Sequence, residues 1–249
     1  PIAAAWDQDG RDVTATLVAR DGRHLDTFER GQYQGVAAEH FVDVDLGAPI
    51  GRETPMWLVA QGWIYPTDSS IDVAIGQGGR LQPRGLSLEA QDARGRWVMV
   101  VPDLGFPEGK HKTILVDLDT VARAGVTGAR RFRLRTNLEI YWDFIGSAAG
   151  VPGASMETKR IEPSVAELRY RGYSVTRSES RDQPEVPVYD RIANTAPRWR
   201  DLAGYYTRYG DVRELLARIE DRYGIMNAGD ELRLPFPALP PPRGGRTRG

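Results

Sequence analysis

The chain has 249 residues, 41% hydrophobic and 27% charged, a size and balance that suit one large β domain with an appendage or two small domains. Its net charge of −1 gives no global pull towards nucleic acid or an anionic membrane. Without cysteine there are no disulfides, thiolate nucleophiles or Cys-ligated metals, and no apolar run nears the ~20 residues that span a bilayer.

Residues 2–6 are a short apolar run that reads as a strand. In the WDQDGRDV that overlaps its end, Asp12 can cap a helix over 13–20 that Gly22 stops. Alternation of Val13, Ala15 and Leu17 keeps a strand as the other reading. Residues 21–35 read as loop and 40–47 as a strand. In 55–65 both parities are mostly apolar, with Trp57, Val59, Trp63 and Tyr65 on one and Met56, Leu58, Ala60 and Ile64 on the other. That pattern predicts a central strand between two layers. Ile71, Val73 and Ile75 predict a further strand. SLEAQD and RGRWVMVV predict a hairpin turning at 93–95. A Pro/Gly loop, the strand TILVDL and the turn or short helix TVARAGVTG follow.

The stretch organising the chain is RFRLRTNLEIYWDFI, residues 131–145. Phe132, Leu134, Thr136, Leu138, Ile140, Trp142 and Phe144 share one parity; Arg131, Arg133, Arg135, Asn137, Glu139, Tyr141 and Asp143 share the other. Period-two alternation of this length predicts a long strand or a bent strand pair, with an apolar face against a second layer and a polar face in water. Residues 165–176 predict two strand pieces bent at Gly172, and 179–201 an irregular, proline-punctuated stretch. Asp211 opens a predicted helix over 211–223, with Val212, Leu215, Leu216 and Ile219 as its stripe. ELRLPF predicts a last strand and PALPPPRGG an extended tail.

The fold class expected is therefore mainly β: a β-sandwich of jelly-roll (galactose-binding-like) type over 1–180, with a short C-terminal α/β appendage over 181–249. The opening at Pro1 and the ending in GGRTRG suggest a segment of a longer protein.

Several stretches carry a resemblance. AWDQDGRDVTATLVARDGR, DARGRWVMVVPDLGFPEGKHKTILVDL, RFRLRTNLEIYWD, AELRYRGYS and YYTRYGDVRELLARIEDRYGIMNAGDEL are together similar to a C-terminal region of large bacterial proteins. Those proteins also carry FG-GAP propeller blades, an ASPIC/UnbV segment or tetratricopeptide repeats. The resemblance spans roughly residues 6–234. It implies an exported protein, periplasmic or extracellular, and an accessory β module. It implies no reaction and no active-site residues.

Few side chains suggest chemistry. Asp7, Asp9 and Asp12 stand as D-x-D-G-x-D, a run able to wrap Ca²⁺. The EF-hand glutamate is missing, because position 18 is Val, and a polar turn with Asp12 as cap is the simpler reading. Tyr141, Asp143, Asn137 and Arg135 project from one face of 131–145 and are the candidate ligand-binding residues, as a solvated face or as contacts to a sugar. Trp57, Trp63, Tyr65, Trp97 and Trp142 can extend an aromatic platform, although Trp63 and Trp142 read more simply as core. Lys110, His111 and Lys112 cluster in a glycine loop that lacks the P-loop pattern. His24, His40 and His111 are scattered along the sequence, and there is no G-x-S-x-G elbow. No cofactor or metal is expected. The preferred function is a non-catalytic interaction module that docks on protein partners or on other parts of its own chain. A carbohydrate-binding module using the polar face of 131–145 is the alternative, and a hydrolase with an unrecognised carboxylate pair a third reading.

Overall fold

The structure is a computed structural model that describes residues 1–241 except 52–53, 68, 80–81, 108, 152–157, 194–202 and 219–220. It is mainly β, with several antiparallel sheets, none closed. The chain forms two compact units: residues 1–154 with 178–184, and residues 155–177 with 185–249. The boundary read near 180 falls inside the 178–184 segment.

In the first unit β1 (Ala4–Asp7) leads to a single helical turn, α1 (Thr14–Leu17), and then to β2 (Val36–Asp45) and β3 (Met56–Ile64). Helix α2 (Ser69–Gly78) precedes the hairpin β4 (Ser87–Gln91) and β5 (Trp97–Val101). β6 (Lys112–Asp117), α3 (Asp119–Arg123), β7 (Arg131–Leu138) and β8 (Ile140–Ala149) complete it. The strands form a five-stranded sheet in the order β1-β2-β7-β4-β5 and a three-stranded sheet in the order β6-β3-β8. One apolar cluster draws on both sheets, with Val42, Val44, Leu88, Phe132 and Leu134 from the first and Leu58, Ala60, Val116, Ile140 and Ile145 from the second.

The alternating residues from Phe132 to Trp142 therefore do face a shared core, as a bent pair; beyond the β3–β8 register shift Ile145 takes the core place expected of Phe144. The bend is Glu139, where the chain leaves the five-stranded sheet and enters the three-stranded one. Phe132, Leu134, Thr136, Leu138, Ile140 and Trp142 are buried, while Phe144 is half-buried under the Arg20 guanidinium. β3 is central in its sheet, paired with β6 and β8. The β4–β5 hairpin turns where expected, closed by a bond from Gly95 N–H to the Asp92 carbonyl.

Two expected elements change. Ile71, Val73 and Ile75 lie in helix α2: Ile71 and Ile75 are four apart, which is one face of a helix as well as of a strand, and Ile75 alone of the three is buried. The helix expected over 13–20 is only α1, with Thr14 N–H bonded to Asp12 Oδ1.

The second unit holds β9 (Glu167–Tyr170), β10 (Tyr173–Arg177), β11 (Val186–Ala193), β12 (Gly210–Asp211), α4 (Arg213–Leu216) and β13 (Asp230–Arg233). β12-β9-β13 form one small sheet and β10-β11 a ribbon. Gly172 makes the bend between β9 and β10 at φ 101°. β11 lies in the stretch read as irregular; its Pro187 is tolerated because the ribbon pairs on one side only. The helix expected over 211–223 is the single turn α4. Val212 and Leu215 pack with Ala166 and Leu168, but Leu216 is exposed, so a longer stripe has no surface to lie on. Ile219 and the 242–249 part of the tail lie outside the described residues.

Candidate functional site

The polar parity of 131–145 meets two environments. On β7, Arg131, Arg133 and Arg135 stay partly exposed, and each is matched by an acid across the strands. Arg131 Nε donates to Asp45 at 2.9 Å; Arg133 holds Asp43 through Nε and Nη2 at 2.6 and 2.8 Å. Arg135 reaches Glu89 at 2.7 Å and Glu39 at 2.9 Å. The Arg133 guanidinium also lies over the Phe41 ring (3.6 Å) and the Trp97 ring (4.2 Å). These charges are spent on one another, as a cross-strand ladder stabilises a sheet.

Beyond Arg135 the expected solvated face ends. Asn137, Tyr141 and Asp143 are all buried. The covering is residues 21–30, which the sequence shows only as loop. Leu25 N–H bonds the Trp142 carbonyl at 2.8 Å, Gly22 N–H bonds Asp143 Oδ1 at 3.0 Å, and the Phe28 ring lies 5.2 Å from Tyr141. Asn137 serves the backbone ahead of β4: its Oδ1 accepts from Arg84 N–H at 2.6 Å and its Nδ2 donates to the Gln82 carbonyl at 3.0 Å. Each of the four candidate ligand-binding side chains is thus engaged inside the unit.

Glu139 is the chemically unusual residue at this corner. Its backbone is pinned on both sides, N–H to the Gly35 carbonyl and carbonyl from Tyr65 N–H, each at 2.9 Å. Gly35 has φ 84°, and a Cβ there would meet the Tyr65 carbonyl oxygen at 2.8 Å, so no other residue fits this close approach. The Glu139 side chain is fully buried. Its Oε1 accepts from the Tyr141 hydroxyl at 2.6 Å and its Oε2 from Gly35 N–H at 3.2 Å. Arg30 Nε lies 3.7 Å from Oε1 and donates to the Tyr141 oxygen at 3.2 Å. Burial pushes the Tyr141 hydroxyl up to about 12, and its bond to Glu139 adds to the shift. Trp63 stacks on Tyr141 at 4.9 Å with 14° between the rings.

Residues 178–184, the loop between β10 and β11, complete the first unit at this corner. Arg181 Nη2 donates to Glu139 Oε1 at 3.0 Å and Oε2 at 3.2 Å, and the guanidinium lies 4.2 Å over the Tyr65 ring. Burial opposes the charge, but the Glu139 bonds hold the Arg181 guanidinium above its ordinary value. Trp63 Nε1 donates to the Asp182 carbonyl at 3.0 Å, and Gln183 Nε2 donates to the Gly22 carbonyl. A turn, closed by Gln183 N–H on the Ser180 carbonyl at 3.4 Å, is thus read through one guanidinium, one main-chain carbonyl and one side-chain amide.

The histidines scattered in sequence partly converge. The His24 and His111 rings are 5.4 Å apart, and His40 stacks on Phe28 at 4.5 Å. Desolvation lowers the pKa of His24; Asp143 and Asp182 pull it back and His111 lowers it further. Desolvation also lowers that of His40. Among the described residues no three His, Asp or Glu side chains converge as a metal ion requires. Asp7 and Asp12 spend carboxylate oxygens on backbone N–H groups of their turn, and Arg11 pairs with Asp9 at 3.0 Å.

Sequence reasoning passed over Glu139, Arg30, Arg181, Trp63 and Tyr65 as a set. The one local signal is the crowding of Trp63 and Tyr65 in one segment and Tyr141 in another; nothing near Arg181 marks it. No family model, no curated protein and no solved structure matches the chain.

Proposed function

We propose that this chain is a non-catalytic docking module of a larger exported bacterial protein, and that its first unit captures a turn-forming polypeptide segment at the Glu139 corner. The observation that carries this reading is the seating of residues 178–184: Arg181 on Glu139 and Tyr65, and the Asp182 carbonyl on Trp63. Two antiparallel sheets sharing one core support a jelly-roll sandwich of galactose-binding-like type for this unit. The stretches similar to C-terminal regions of FG-GAP, ASPIC/UnbV and tetratricopeptide-repeat proteins support the export and accessory role. Among the described residues, no helix is long and apolar enough to cross a membrane.

Two further observations favour docking over catalysis or sugar binding. Every described buried acid, namely Asp7, Asp45, Glu89, Glu139 and Asp143, accepts from an arginine or a backbone N–H. Every exposed tyrosine among the described residues, such as Tyr189 and Tyr223, lies in the second unit, and tyrosine is enriched where proteins meet. The sugar alternative needs Asn137, Tyr141 and Asp143 on an open face, and they are buried.

Trypsin tests the reading. With Arg181 held on Glu139 and Tyr65, the Arg181–Asp182 bond resists cleavage in the intact chain, whereas Glu139→Gln frees it and cleavage there accelerates about ten-fold or more. Cleavage after Arg133, inside β7, reports unfolding of the unit and serves as the reference. Equal rates at Arg181 in both proteins would refute capture.

A further inference from the structure

Resting on that reading, we infer that the Glu139 corner is a recognition site for an arginine-bearing, turn-forming peptide supplied in trans, and that residues 178–184 are its resident competitor. Glu139, Tyr141, Arg30, Gly35, Trp63 and Tyr65 come from β2, β3, β8 and their flanks, and their mutual bonds do not involve the loop. The Tyr141 hydroxyl and Gly35 N–H already fix the carboxylate. Arg181 adds to a receptor that the rest of the unit has built.

The chemistry of that receptor selects its ligand. A carboxylate that takes Nε on Oε1 at 3.3 Å and Nη2 on Oε2 at 3.2 Å, beside an aromatic face 4.2 Å away, suits a planar guanidinium better than an ammonium. Trp63 Nε1–H offers a donor to the main-chain carbonyl one residue further on, and the Gly22 carbonyl an acceptor two residues further on. The ligand class is therefore a peptide that turns at an arginine and carries, two positions later, a side chain that donates a hydrogen bond. The Arg181 and Arg30 side chains are 45% and 44% exposed beside a Glu139 side chain that is 1% exposed, so the corner opens to solvent at its guanidinium end. An incoming arginine can reach it there as the resident one leaves.

A tethered loop competes at an effective concentration on the order of mM, so a free peptide binds the intact wild-type chain weakly. The experiment titrates a fluorescent peptide, Ser-Glu-Ser-Arg-Asp-Gln-Pro, into the full chain and into Arg181→Ala, with a lysine-for-arginine peptide as control. The endoprotease that cuts after glutamate reads release of the loop at Glu179 and Glu185. We expect release in Arg181→Ala, about ten-fold or more tighter binding of the arginine peptide than to wild type, and weaker binding of the lysine peptide. Release without tighter binding, or equal affinity for both peptides, overturns the trans ligand and leaves capture in cis standing. No release overturns the capture reading itself. Arg181→Lys keeps the charge opposite Glu139 and repeats the comparison if the alanine variant does not fold; it should give intermediate release and intermediate affinity.

Discussion

Replacing Glu139 by glutamine removes one negative charge and exchanges one acceptor oxygen for a donor, without changing the volume at the corner. Four groups now point at that carboxylate: the Tyr141 hydroxyl at 2.6 Å, Gly35 N–H at 3.2 Å, Arg181 through Nη2 at 3.0 and 3.2 Å and Nε at 3.3 Å, and Arg30 at 3.7 Å. The glutamine oxygen can keep one or two of them. Its NH₂ must face another donor. If it faces Gly35, a buried N–H loses its partner, at a cost of about 1–3 kcal/mol. Breaking a wholly buried ion pair costs about 3–5 kcal/mol, but both arginines are nearly half exposed and regain water, so the charge contribution falls to about 1 kcal/mol. The sum is about 3 kcal/mol. Five of the six tryptophans, Trp6, Trp57, Trp63, Trp97 and Trp142, lie within residues 1–154, so urea denaturation followed by tryptophan fluorescence reports the first unit. Arg181→Ala alone should cost about 1–2 kcal/mol, and should cost under about 0.5 kcal/mol once Glu139 is already glutamine. A Glu139→Gln loss below about 1 kcal/mol, or an Arg181→Ala cost that is the same in both backgrounds, would show that the corner is not energetically coupled.

Four other outcomes can be measured. Gly62→Ala should destabilise the first unit by more than about 2 kcal/mol, because its Cβ would stand 2.4 Å from the Tyr141 carbonyl oxygen at the β3–β8 register shift; a loss under 1 kcal/mol in the same urea titration contradicts this close approach. Arg133→Lys should cost about 1–2 kcal/mol by thermal denaturation, since lysine forfeits both the fork on Asp43 and the stacking on Phe41 and Trp97; an unchanged midpoint shows that the clamp is dispensable. His24 and His40 have folded pKa values below 6.5, so the unfolded chain binds their protons first and the stability they contribute is present above 6.5 and lost as pH falls through the lowered values; His24→Gln should flatten that slope, and an identical pH–stability curve counts against it. Tyr141 has the opposite sign: raised to about 12, it contributes stability that is present below about 10 and lost between 10 and 12, and ultraviolet titration of Tyr141→Phe should lack the high-pH tyrosinate step.

The parts of the fold visible in the sequence are those set by neighbours along the chain. Period-two alternation marks Phe132 to Trp142 because a pleated strand turns alternate side chains to one side whatever the tertiary context. The β4–β5 turn is visible because Asp92 bonds the N–H groups of Arg94 and Arg96, a purely local motif. The corner is not visible. Gly35 lies 104 residues from Glu139, and Arg181 lies 42. Alternation told which side Tyr141 and Asp143 take but not what covers that side, and the covering segment 21–30 has no periodicity of its own. Ile71 and Ile75 show the converse failure: their spacing fits both a strand and a helix, and only burial of one of them decides.

A sheet-changing chain must turn somewhere, and the turn itself explains the burial of residue 139 without explaining its charge. Both backbone groups of Glu139 are bonded, to Gly35 and to Tyr65, and its side chain lies against the Tyr141 hydroxyl and Gly35 N–H, away from water. An apolar residue there would spare the desolvation cost, and buried ion pairs replaced by well-packed apolar side chains commonly leave stability unchanged or higher. Stability therefore gives no reason for a carboxylate at this position. What a carboxylate adds is discrimination: it holds a guanidinium in one orientation, beside Tyr65, with Nε on one oxygen and Nη2 on the other, where an ammonium presents a single nitrogen. The tyrosine hydroxyl and the glycine N–H that fix Glu139 in advance then serve recognition, because a carboxylate already oriented by Tyr141 and Gly35 binds its partner without reordering.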